Sequence, residues 1–175
     1  FFRAQTPGAE WTPLLTDAAN ARFGAAVPKP GSNSDWAIVR LIAPITDAAP
    51  FPRDTQLPAA GDRLIVVSAH PVGMEAVDPA VPVVQGCSVR RAPVSSGATS
   101  FYRSDCDASP ASSGGMHLFR SPGGLVFRGM TISTGPWGDA SLRGAPYDEK
   151  KGSVTTALGT DAAILKAGES LAAGE

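Results

Sequence analysis

Apolar residues in this chain come in short runs separated by glycine- and proline-rich breaks, the pattern of many short strands joined by turns. Asp62–Ala69 (D-R-L-I-V-V-S-A) and Trp36–Ile42 both predict strands, the latter with Trp36, Ile38 and Val39 directed to a core. Val81–Arg90, Ser100–Ser104, Met116–Phe119, Gly124–Thr134 and Ser153–Leu158 predict further strands. Residues 1–26 show no clear period apart from one strand suggested over Trp11–Leu15. Val27–Ser34 (V-P-K-P-G-S-N-S) is a turn-rich loop, and 44–61, with four prolines and few β-branched residues, reads as a connection between two halves. Only the tail has a helical period. Thr160–Asp161 can cap a helix over Ala162–Leu171 with Ile164, Leu165, Gly168 and Leu171 on one stripe, although Gly168 weakens its middle. The fold class expected is all-β with a C-terminal α-helix.

At 175 residues the chain can bury a sizeable core, and β-barrels commonly run to about 200–250 residues as one unit. A net charge of −1 with 18% charged residues gives no basic field for nucleic acid and no acidic tail. No apolar run approaches the ~20 residues of a membrane helix, so neither nucleic acid nor a membrane is an expected partner. The chain opens Phe1-Phe2-Arg3 without Met or a signal peptide, as a processed or truncated end does. Two isolated histidines and two separated cysteines make no metal cluster, and Gly123-Gly124 lies between strands rather than opening a helix. No metal or cofactor is expected. Cys87 and Cys106 both fall in β-like stretches, so a cross-strand disulfide is one reading and two buried thiols the other. A disulfide would contribute roughly 3 kcal/mol and favour a secreted or periplasmic protein.

The chemistry lies in Cys106–Gly115, C-D-A-S-P-A-S-S-G-G. A serine hydroxyl attacks a carbonyl only when a base takes its proton. That base is usually a histidine, which in turn needs a carboxylate to fix its tautomer. The oxyanion that forms needs two backbone N–H groups aimed at one point, and a tight loop around the serine can supply them. Ser113 suits the nucleophile, Gly114 and Gly115 allow close approach, and the amides of Ala111 and Ser113 suit the oxyanion hole. Taken alone, S-S-G-G is also an ordinary loop composition, and an Asp before a strand, as Asp35 is, is usually a turn or cap residue.

The joint pattern carries more. D-W-A-I-V-R-L at Asp35–Leu41 resembles the acid-bearing strand of chymotrypsin-like serine proteases, with its D-x-A-hydrophobic-hydrophobic-x-L form. D-R-L-I-V-V-S-A-H-P at Asp62–Pro71 resembles the strand opening that family's second barrel. Gly86–Val89 and Asp105–Asp107 resemble the paired cysteine strands of its bacterial trypsin-like and glutamyl-endopeptidase-like members. Cys106–Met116 tracks their C-D-T-x-P-G-S-S-G-S-P nucleophile loop, and Gly124–Gly135 resembles the strand lying against the substrate. The resemblance spans most of 35–171. It implies a double β-barrel: 1–43 as the remainder of a first barrel, 44–61 the inter-barrel connection, 62–159 a second barrel and 160–175 the helix. It also implies peptide-bond hydrolysis through an acyl-enzyme on Ser113 oriented by Asp35, with a peptide or protein as substrate.

The departures matter. Ala111 stands where the family has Gly, so a positive φ there would be strained, and Met116 replaces a Pro. No histidine precedes Asp35, where the family's chain order puts the base. His70 and His117 follow it and are expected to be surface or internally satisfied histidines. F-F-R-A-Q resembles the strand after the family's His-bearing segment, so the base is expected on an upstream fragment of the same precursor, absent from these residues. A catalytically inactive pseudoprotease that binds other proteins is the rival. Asp107, six residues before Ser113, is placed as trypsin-like members place the carboxylate that selects Arg or Lys, or it simply organises the loop. Thr131 or Ile132 stands where glutamyl-specific members carry a His, which disfavours acidic preference. Ser133 and Gly135 are the expected backbone contacts for an extended substrate.

Overall fold

In the computed structural model the described residues are 2–3, 12–68, 82–96, 99–109, 111–135 and 145–174. Ten strands and one helix follow in chain order: β1 Phe2–Arg3, β2 Thr12–Pro13, β3 Thr16–Phe23, β4 Ala37–Leu41, β5 Arg63–Ser68, β6 Val83–Ser96, β7 Thr99–Ser104, β8 Met116–Ser121, β9 Gly124–Thr134, β10 Thr155–Gly159 and α1 Ala162–Ala173. β5 to β10 close into an antiparallel barrel in the order β10-β7-β6-β5-β8-β9, while β1-β2 and β3-β4 form separate two-stranded sheets.

Strand alternation sets the barrel interior. On β5, Leu64 and Val66 point inward, and they join Cys87, Val89, Tyr102, Cys106, Phe119, Val126 and Ala157 in one core. The Cys87–Cys106 disulfide forms within it. β6 and β9, at 14 and 11 residues, are long for so small a barrel. They are accommodated by register shifts at Val89/Arg91, Arg91/Val94, His117/Leu118 and Thr156/Ala157, since an extra residue on one strand bends and twists the pair.

A second cluster sits outside the wall: Ile132, Leu158 and Ile164, with Trp36, Ile38, Phe101 and Met130 against it. It seats α1 and the end of β4 on the barrel. Asp161 is the N-cap, its Oδ1 accepting from Ala163 (2.9 Å) and Ile164 (3.1 Å), and Gly174 closes the helix in the left-handed region at φ 79°. A Cβ at Gly168 would make ordinary contact with the Arg53 guanidinium at 3.5 Å and Ile38 at 3.6 Å, so space does not require glycine there. Thr160 is not the cap; its hydroxyl donates to the Asp54 carbonyl at 3.0 Å.

That bond belongs to a clasp on the 44–61 stretch. Arg128, 7% exposed, donates to both Asp54 oxygens (2.8 and 3.1 Å) and to Gln56 (2.7 Å), with its guanidinium over the Phe119 ring. Phe127 donates its backbone N–H to Pro52 at 2.8 Å. The stretch is thereby bound along the outside of β9. The chain before it differs from expectation in one respect: β3 forms where no period was legible, paired to β4 with an irregularity between Asp17 and Ala21.

Candidate active site

The Ser113 loop is anchored before it begins. Cys106 is tied to β6 by the disulfide, and its carbonyl accepts from the Thr155 hydroxyl at 2.6 Å. Asp105 accepts from the Ser88 amide (2.6 Å) and the Arg90 Nε (2.7 Å). Within the loop the Ser112 amide donates to Ser109 O (3.0 Å), and buried Ser112 Oγ accepts from the Ser109 amide (3.1 Å). Gly115 N donates to Ser112 O (2.9 Å), Gly114 N to Thr131 O (2.8 Å), and Thr131 N to Gly115 O (2.9 Å).

These bonds commit the amides of Ser112, Gly114 and Gly115. The amides of Ala111 and Ser113 donate to no described residue, and the exposed Ser113 hydroxyl engages none. Ser113 is thus exposed, with its own amide and that of Ala111 left without a described acceptor. Ala111 is the one described non-glycine residue at positive φ, 69°. An L-residue there is strained by roughly 1–2 kcal/mol, so Ala111→Gly should raise stability by about 0.5–1 kcal/mol after the extra chain entropy of glycine. Urea unfolding measures it, and an unchanged or lower midpoint would contradict the strain.

Asp35 lies just before β4 in a self-bonded loop. Its amide donates to Ser32 O (3.1 Å) and its Oδ2 accepts from the Gly31 amide (2.7 Å). Gly31, at φ 70°, is placed so that a Cβ would lie 3.8 Å from the Ser133 Cβ. Ser133 is two residues beyond Thr131 on β9, about 7 Å along a strand. The Asp35 loop and the Ser113 loop thus approach the same strand two residues apart. Gly135 follows, its amide donating to Val154 O (3.0 Å), and a Cβ there would meet the Gly152 carbonyl at 2.6 Å. Only glycine fits there, and its amide is engaged.

His117 faces the core, not Ser113. It is fully buried, with Nδ1 at 2.7 Å from the Tyr102 hydroxyl and Nε2 at 2.9 Å from Thr131 Oγ1. Burial pushes its pKa down to about 3 and raises that of Tyr102. A base must reach the proton it removes, and this ring does not. His70 lies outside the described residues. Thr131 and Ile132 are both buried. Asp107 is exposed and paired with Gln85, accepting from Nε2 (3.2 Å) while its amide donates to Oε1 (2.9 Å). A solvated carboxylate selects charge weakly, so its position lends no weight to a preference for basic residues.

Sequence reasoning passed over Ser112 and the backbone of Thr131, which together hold the loop. The serine pair 109/112 at turn spacing was a signal for the first. Nothing local marks Thr131, whose role exists only through its register against Gly114 and Gly115. A surface depression of about 480 Å³ lined by Arg90, Arg91, Tyr147, Asp148, Glu149 and Lys150 contains none of the loop residues. Among the described residues no group of His, Cys, Asp and Glu could hold a metal ion, and no helix is long and apolar enough to cross a membrane. No protein-family model matches the chain, and no curated protein matches it.

Proposed function

We propose that these residues carry the nucleophile, the oxyanion hole and the orienting acid of an exported serine endopeptidase with a chymotrypsin-like double barrel. The observation that carries the reading is exposed Ser113 flanked by the uncommitted amides of Ala111 and Ser113. The general base is a histidine from a segment outside these 175 residues, docked beside Asp35, since no histidine precedes Asp35 here. As Ser113 Oγ attacks the scissile carbonyl, the base takes its proton and the two amides hold the oxyanion. The intermediate collapses to an ester on Ser113 while the base protonates the departing amine. Water then repeats the sequence and frees the acid. The isolated chain is expected to be nearly inactive, since loss of the base alone costs about 10⁶ in kcat in one well-studied serine protease.

A second reading, an inactive relative that binds peptides, is favoured by the strained Ala111 and by the core position of His117. Fluorophosphonate labelling of the protein from its native source, with all co-purifying polypeptides and with added imidazole as a diffusible base, separates the two. The expected result is an adduct on the Ser113 peptide that Ser113→Ala abolishes, together with a histidine-bearing polypeptide in the sample. An unlabelled Ser113 under both conditions would overturn the enzyme reading in favour of the binding one.

A further inference from the structure

His117 has no part in the chemistry above, yet among the described, fully buried side chains it is the largest polar one besides Tyr102, and both its ring nitrogens are engaged. Tyr102 is 1% exposed, and its hydroxyl meets Nδ1 at 2.7 Å as its one described hydrogen bond. Were Nδ1 protonated, the phenol hydrogen would be buried without an acceptor, at a cost of roughly 1–3 kcal/mol. The phenol therefore donates, Nδ1 accepts, and the ring hydrogen sits on Nε2, which donates to Thr131 Oγ1 at 2.9 Å. A neutral ring fits that assignment, given the burial that holds its pKa near 3.

Thr131 is the residue on which the Ser113 loop rests. Its carbonyl accepts from Gly114, and its amide donates to Gly115. A Cβ at Gly115 would meet the Thr131 hydroxyl at 3.4 Å and the Ser112 carbonyl at 2.8 Å, so the loop lies directly over that side chain.

We propose that His117 is a positioning residue for the Ser113 loop: its Nε2–H fixes the Thr131 hydroxyl and thereby holds the strand segment to which Gly114 and Gly115 are bonded. The inference rests on the reading of Ser113 as nucleophile for its functional meaning, but not for its test. Without the Nε2 donor the Thr131 side chain turns to another partner. The two backbone bonds to the loop loosen, and the amides of Ala111 and Ser113 lose their fixed aim.

The test uses amide substitutes that keep one end of the ring each. In His117→Gln the terminal amide stands where Nε2 was and can still donate to Thr131. In His117→Asn it stands where Nδ1 was and reaches Tyr102 alone. Hydrogen exchange at the Gly114 amide is read against the Val89 amide, which bonds to Asp62 on the far side of the barrel at 2.9 Å and reports general stability. The ratio should stay within about twofold of the parent in His117→Gln and rise roughly tenfold in His117→Asn, as for the loss of one buried hydrogen bond. Equal ratios in the two variants would overturn the proposal and leave His117 a packing residue. The ¹⁵N spectrum of the parent ring decides independently of whether either variant folds. A proton on Nε2 supports the assignment and one on Nδ1 refutes it. Neither readout uses catalysis, so an unreactive Ser113 would leave this result standing.

Discussion

Lowering the pH from 7 to 5 should destabilise the fold by about 2 kcal/mol, and continuing to pH 3 should bring the loss to about 4 kcal/mol, because His117 is held neutral with a pKa pushed from 6.5 to about 3. Below pH 6.5 the unfolded chain binds a proton at this residue that the folded chain refuses. Stability then falls as pH falls, at about 1.4 kcal/mol per unit, and levels off below the folded pKa. The raised Tyr102 hydroxyl acts only above its ordinary value of 10 and does not enter. The lowered carboxyls of Asp17 and Glu149 lose their contribution only near and below the ordinary carboxylate range, so the window from 6.5 to about 4.5 isolates the histidine. Urea unfolding at a series of pH values, in a His70→Gln background so that one histidine titrates, gives the slope directly. A stability that stays flat across that window would mean that the ring is charged or wet in the folded state.

Opening the Cys87–Cys106 bond should lower stability by about 3 kcal/mol, since its closing of a 19-residue separation restricts the unfolded chain. At a urea dependence of about 2 kcal/mol per molar, that moves the midpoint down by about 1.5 M. The paired change Cys87→Ala with Cys106→Ala tests it without leaving buried thiols. The loss should not be confined to global stability. Cys106 is the residue from which the Ser113 loop departs, and its carbonyl is held by Thr155. Loss of the tether should therefore also slow phosphonate labelling of Ser113. Equal midpoints for parent and variant would show that the clasp of Asp105 on Ser88 and Arg90 suffices to hold this corner.

The barrel strands were legible because each obeys a local rule. The apolar run in R-L-I-V-V-S and the β-branched content of β6 and β9 announce strands without reference to a partner. The helix was legible too, from Asp161 and the spacing of Ile164 and Leu171, though it runs two residues past the expected Leu171 to Ala173. β3 was not. T-D-A-A-N-A-R-F is poor in strand formers, and its pairing with β4 is imposed by tertiary contact that no window on the sequence contains. The length of β6, expected to stop at Arg90 and found to reach Ser96, was hidden by Pro93, which sits beside register shifts where a missing N–H is tolerated. At the candidate site, Ala111 was expected to be strained if its φ were positive, and its φ is 69°. The commitment of the Gly114 amide to Thr131 could not be read ahead, because it depends on the register of β8 against β9 and not on composition. Nor could Asp107 be placed, since its partner Gln85 is 22 residues away.

Closure of the barrel also decides where molecules of this protein can stick to one another. Closure gives each barrel strand a neighbour on both sides, although among the described residues 83–88 of β6 pair with β5 alone and 89–96 with β7 alone. The sheet made by β3 and β4 is two strands wide among the described residues and keeps an outer edge on each. Leu15, Phe23 and Ile42, at 64%, 56% and 66% exposure, border those edges. These edges, with the exposed apolar residues beside them, are where strand-to-strand association at high concentration is expected. The charged pair Asp17 and Arg40, opposite each other in its register, is the feature that guards it.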